Sequence, residues 1–135
     1  MAKIIKRNVD ASEKGTWVNN CMGDICIKIA AENNKNYSQI VQKLMKPYQR
    51  SYRSMGDSFN AIFEDIQNKA MSKAILLDWK NVEDDNGAVI EYSETAAYDL
   101  LRDPENIEFR KLVVDLSAET EVFRKETQEA LADKS

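Results

Sequence analysis

Leu76–Leu116 reads LLDWKNVEDDNGAVIEYSETAAYDLLRDPENIEFRKLVVDL, and the fold turns on how this stretch is divided. A helical pattern arrives from upstream at Leu76, Leu77 and Trp79. The acidic run Glu83-Asp84-Asp85-Asn86-Gly87 then forms a turn, with Gly87 supplying the conformational freedom. Val89-Ile90-Glu91-Tyr92 is a short extended piece leading into a helix cap at Ser93. A short helix follows with Ala97, Leu100 and Leu101 inward. It stops at Asp103-Pro104-Glu105, which combines an N-cap, a proline at the first helical position and an early acid. Trp79, Gly87, Tyr92, Ser93, Asp103 and Pro104 are thus the structural hinge points of the stretch, and Trp79 is expected to be buried. The last helix presents Ile107, Phe109, Leu112, Val113, Leu116, Val122 and Phe123, and the final dozen residues (RKETQEALADKS) read as a frayed or solvated end.

Upstream, Asp57 or Ser58 caps a helix of about twenty residues, spanning roughly 30 Å, whose stripe runs through Phe59, Ile62, Phe63, Ile66, Ala70 and Leu77. Before it, Tyr37, Val41, Leu44, Tyr48, Tyr52 and Met55 recur every three or four residues, a second helical stripe broken at Pro47. Residues 31–37 read as a loop. Residues 1–30 carry the strand signals. Ile25, Ile27 and Ile29 alternate with Cys26, Lys28 and Ala30, and Gly15-Thr16-Trp17-Val18 reads as a partner strand across the turn Met22-Gly23-Asp24. Ile4 and Ile5 suggest a third short strand. The fold expected is mainly α: one domain over 1–135, with a small N-terminal β-hairpin or strand element (1–30) and a helical body of four to five helices (36–132).

Composition agrees with a folded chain. The 135 residues include 31% charged and 43% hydrophobic ones, with only four Gly and two Pro, which favours a helical core over disorder. The first residues lack the apolar segment of a secretory signal, and no apolar run reaches the ~20 residues that cross a bilayer. A cytoplasmic protein is expected. The net charge of -4 hides an asymmetry: residues 1–53 hold ten Lys or Arg against four Asp or Glu (+6), and residues 54–135 hold nine against nineteen (-10).

Catalytic chemistry finds little support. There is no histidine, so Ser-His and Cys-His nucleophile pairs are excluded within the chain. Cys21 and Cys26 are five apart and would face opposite sides of a single strand, although a turn between them changes that. A zinc site would need carboxylates alone to complete it. Read as a calcium loop from Asp84, the twelfth position is Thr95 rather than Glu, and the pattern fails. No enzyme, cofactor or metal is expected. One candidate partner-binding patch stands out: Lys43, Lys46, Arg50 and Arg53, at spacings of three, four and three, share one helix face. Tyr48 and Tyr52 lie nearby. A basic stripe with aromatics suits nucleic acid, but the overall acidity argues against a strong nucleic-acid binder.

The run from Trp79 to Pro104 resembles the tail assembly chaperones of long-tailed, non-contractile (lambdoid-type) bacteriophages. The likeness lies in Leu77-Asp78-Trp79, Asp85-Asn86-Gly87, the step from Ile90 to Ser93, Ala96-Ala97, Leu100-Leu101 and Asp103-Pro104, continuing through Phe109 and Arg110. Gly15-x-Trp17 and the Ile-rich strand ending at Lys28 are compatible with it. The resemblance implies a non-enzymatic protein of the host cytoplasm that keeps the tape measure protein soluble and promotes polymerisation of the tail tube. It also implies self-association in many copies and absence from the mature virion. In such families a ribosomal frameshift makes a longer form that recruits the major tail tube protein, and a chain ending at Ser135 corresponds to the short form. No catalytic residues carry over. The alternatives are a phage structural or connector protein retained in the particle and a small nucleic-acid-binding regulator.

Overall fold

The structure, a computed structural model, describes residues 1–134. Its centre is a three-stranded antiparallel sheet of β1 (Thr16–Met22), β2 (Ile25–Ile29) and β3 (Leu76–Lys80), in that order across the sheet. β1 and β2 form a hairpin around the tight turn at Gly23 and Asp24, with Trp17 opposite Lys28 and Val18 opposite Ile27. β3 runs along the other side of β2, setting Trp79 opposite Ile27 and Leu76 opposite Ile29. Before the sheet comes the short helix α1 (Val9–Lys14), capped by Asn8. The chain leaves it at Gly15, where φ is +88° and a Cβ would lie 2.8 Å from Leu77 Cδ1, so only glycine passes there without strain.

The remaining helices are α2 (Lys35–Met45), a 3₁₀ turn (Lys46–Tyr48), α3 (Tyr52–Met55), α4 (Ser58–Ala74), α5 (Glu94–Arg102), a second 3₁₀ turn (Pro104–Asn106), α6 (Ile107–Ala118), α7 (Thr120–Phe123) and α8 (Lys125–Lys134). The described residues are 58% helical, with eight α-helices and the sheet. This is a mixed α/β fold, not the mainly α domain of four to five helices expected above. The decisive difference is at Leu76–Lys80. In the sequence the stripe of α4 continues through Leu77, and no Gly or Pro marks a stop. A short apolar run is compatible with helix or strand, and tertiary context decides it here. The open edge of β2 offers backbone partners, and Leu76 and Trp79 drop onto the apolar Ile29 and Ile27.

Three further expectations are corrected. Ile4 and Ile5 form no strand; the N-terminal segment makes one isolated bridge, Arg7 to Arg124, and both isoleucines are exposed. The last helix is broken after Ala118, where Glu119 is extended (ψ +116°). The end expected to be frayed or solvated is helical as α8 rather than frayed, though largely exposed, with Gln128 Nε2 donating to Val122 O at 2.6 Å and to Thr16 Oγ1 at 3.2 Å; Ser135 lies outside the described residues.

The core forms where one sheet face meets the helices. Ile27, Ile29, Leu76 and Trp79 pack with Met71 and Ile75, with Ala97 and Leu101 of α5, with Phe109 and Val113 of α6, and with Phe123 of α7. Phe123 is fully buried. On the opposite sheet face Lys80 Nζ sits 4.4 Å from the centre of the Trp17 ring, a cation–π contact.

Candidate partner-binding surface

One part of the chain stays outside this core. α4 has two unlike halves: Ile66, Asn68, Ala70, Met71, Ser72 and Ala74 are buried, whereas nothing in its first two turns is. Those first turns carry α2, the 3₁₀ turn and α3, none of which contains a fully buried residue. α2 packs against α4 and α3 against the start of α4. Together they form a helical arm. Its root is Asn34, which is 4% exposed. The Asn34 Oδ1 accepts from Tyr37 N at 2.9 Å and so caps α2, while Nδ2 donates to Ala31 O at 2.6 Å and to Ala74 O at 3.1 Å. One side chain thus starts α2 and ties it to the far end of α4.

The arm is amphipathic but lacks a third partner. Phe59 is the centre of a ring cluster, with centroids of Tyr48, Tyr52 and Phe63 at 5.9, 5.7 and 6.0 Å. All four rings are half-buried. Beside them Val41 and Met45 of α2 face Phe59 and Phe63 of α4 across an open groove of about 580 Å³, edged by Gln42, Gln49 and Asn60. Val41, Tyr48, Tyr52, Phe59 and Phe63 belong to the two helical stripes of the sequence, and a stripe at helical spacing is the same signal whether or not something covers it.

The four basic residues all lie on this arm, but not on one helix. Lys43 is on α2, Lys46 opens the 3₁₀ turn, Arg50 is in the following turn and Arg53 is on α3. The break at Pro47 that the sequence announces is what separates them. All four are exposed, and among the described residues none is in an ion pair. Arg53 Nε donates to Tyr52 Oη at 3.0 Å, and its guanidinium lies 5.6 Å from the ring centre. The clearest signal in the sequence is an absence: residues 33–56 contain five Lys or Arg and no Asp or Glu.

Of the remaining expected positions, Trp79 and Tyr92 pack in or against the core, and Gly87, Ser93, Asp103 and Pro104 are exposed turn and cap residues. Trp79 is buried at 5% exposure on β3, and its Nε1 donates to Ile90 O at 2.7 Å. Tyr92 is half-buried and donates to Leu76 O at 2.8 Å. Gly87, at φ +79°, closes the acidic turn, in which Asp84 Oδ1 accepts from Asn86 N and Ala88 N, both at 2.9 Å. Ser93 caps α5 by accepting from Ala96 N at 2.9 Å. Asp103 accepts from Glu105 N at 3.0 Å, with Pro104 opening the 3₁₀ turn. These residues sit on other elements than the basic four. Cys21 and Cys26 lie on the two strands of the hairpin, either side of its turn, and both are free thiols. Among the described residues no group of His, Cys, Asp or Glu could hold a metal ion, and no helix is long and apolar enough to cross a membrane.

Comparison with known families places the chain among phage-derived proteins. The family model of the YdaY prophage protein matches residues 32–134, a span that takes in the arm, β3 and all the helices after it. The chain belongs to that family. No curated protein and no solved structure matches it.

Proposed function

We propose that this phage-derived chain is a non-enzymatic tail assembly chaperone. On this reading it acts in the host cytoplasm, binds and solubilises the tape measure protein, promotes tail tube polymerisation and leaves the finished particle. The observation that carries the reading is the uncovered apolar groove of the arm in a protein of prophage origin. A chaperone for a long helical chain has to offer such a groove, because an amphipathic helix is recognised by laying its apolar side into one. The resemblance of Trp79–Pro104 to tail assembly chaperones supports the same function. Recruitment of the major tail tube protein belongs to a longer, frameshifted form on this reading, and association between copies brings many of them along one tape measure chain.

The test is co-expression with the tape measure gene of the same genome. A soluble tape measure protein that purifies with this chain supports the reading; an insoluble one defeats it. Mass spectrometry of purified particles separates the alternative of a retained structural or connector protein, since a chaperone is absent from the virion and a structural subunit is present. The unpaired cations of the arm favour a third reading, a nucleic-acid-binding regulator, for which the signature is tight DNA binding that weakens steeply with salt.

A further inference from the structure

We propose that the groove between α2 and α4 receives an amphipathic α-helix of a partner protein whose apolar stripe is flanked by acidic residues. Shape argues for a helix. Val41 and Met45 are four residues apart on α2, and Phe59 and Phe63 are four apart on α4, so each pair forms a ridge one helical turn long. Two packed helices with such ridges leave a furrow that a third helix completes into a three-helix bundle. The guest then presents apolar residues at i, i+3 or i+4, and i+7.

Charge selects the flanks. No charged residue lines the groove itself, but Lys46, Arg50 and Arg53 each follow a lining residue (Met45, Gln49 and Tyr52), and the Arg53 guanidinium lies 5.6 Å from the centre of the Tyr52 ring. With Lys43 they are exposed, and in no ion pair among the described residues, in a segment that has no acid from residue 33 to 56. An acidic guest gains from these charges and a basic one is repelled, which sets specificity more than affinity.

Two other occupants fit less well. Nucleic acid stacks its bases on open ring faces, whereas the rings of Tyr48, Tyr52 and Phe63 are turned onto Phe59 at 5.7–6.0 Å. A second copy has no suitable helix to insert. Its exposed large apolar side chains are Met1, Ile4, Ile5, Val9, Met22, Val89, Ile107 and Leu131, and among the described residues no helix carries two of them. The proposal rests on the assembly-chaperone reading for the source of the guest helix, and on the groove itself for the guest's chemistry.

Fluorescence anisotropy with the full chain tests it, using two designed peptides of about five turns that share one Leu/Ile stripe, one flanked by Glu and the other by Lys. The Glu peptide is expected to bind at least about tenfold more tightly than the Lys peptide at low salt. The fourfold reversal K43E/K46E/R50E/R53E should invert that order while leaving the circular dichroism spectrum unchanged. Phe59→Ser should weaken both peptides. Equal binding of the two peptides, or no binding of either, overturns the proposal. So does a single-stranded DNA oligonucleotide that binds more tightly than the Glu peptide and competes with it, or sedimentation velocity showing dimers that the reversal dissolves. Binding of the Glu peptide beside a tape measure protein that stays insoluble on co-expression would refute the chaperone reading and leave the groove's chemistry standing. A solubilised tape measure protein with no peptide preference would do the reverse.

Discussion

The Trp79 indole stands edge-on to the Tyr92 ring, with centroids 5.0 Å apart and planes at 86°. Each residue also bonds the other's backbone neighbourhood: Trp79 Nε1 donates to Ile90 O, and Tyr92 Oη donates to Leu76 O. The pair therefore latches the segment after the acidic turn onto β3. Edge-to-face geometry and satisfied polar tips are what buried Trp and Tyr require. Trp79→Ala opens a cavity at the sheet–helix junction and is expected to cost ~3–5 kcal/mol, read as a lower urea midpoint with an unchanged slope. Parent-like melting would mean that the latch contributes nothing to the core.

Tyr92 itself supplies an alkaline signature. Burial, with Glu94 and Asp78 adding to it, pushes its hydroxyl up to about 12, against about 10 for a free tyrosine. The folded state therefore favours the neutral phenol more than the unfolded chain does. Its contribution to stability is complete below pH ~10 and is lost as pH rises towards 12. Absorbance titration of the parent against Tyr92→Phe should show one tyrosine ionising late. A difference curve centred near pH 10 would contradict the buried position.

Acid acts elsewhere, between α4 and α5. Tyr98 Oη donates a short hydrogen bond to Asp65 Oδ1, and Lys69 Nζ lies 3.0 Å from Asp65 Oδ2. The Tyr98 bond first, and Lys69 after it, hold the Asp65 carboxyl below its ordinary range. The folded value is depressed, so this contribution is present above the unfolded value of about 3.9 and is lost as pH falls through the folded one. Tyr98→Phe should move the Asp65 carboxyl resonance back towards the ordinary range in an NMR titration. An unmoved midpoint would show that Tyr98 is not the cause.

Local chemistry was legible in the sequence, and long-range decisions were not. The turn at Gly23, the break at Pro47, the cap at Ser93 and the Asp103-Pro104 restart each depend on a side chain and the few residues around it. Leu76–Lys80 depends on the free edge of β2, about fifty residues earlier in the chain, and nothing local distinguishes it from the end of α4. α8 is likewise held by Thr16, from the opposite end of the chain. The basic residues of the candidate surface could be found from charge alone, although Pro47 puts them on several elements. Its apolar half was hidden, since Phe59 and Phe63 look like core until the structure leaves them uncovered.

Asn34 decides whether the arm is held to the body. All three of its bonds are lost in Asn34→Ala, leaving the Tyr37 amide and two carbonyls without that partner at a buried site. The expected cost is about 1–3 kcal/mol, with α2 loosening first. Backbone amide exchange over residues 35–48 should accelerate more than over β2. Uniform acceleration would mean that the arm has no separate stability.

Hydrogen exchange on the complex with the tape measure protein tests the central claim, that this arm is the surface that binds. Amides over residues 41–63 should be slowed in the complex relative to the free chain, with β1–β3 little changed. Failure of the two proteins to co-purify, or a complex in which residues 41–63 exchange as fast as in the free chain while another surface is protected, would contradict it.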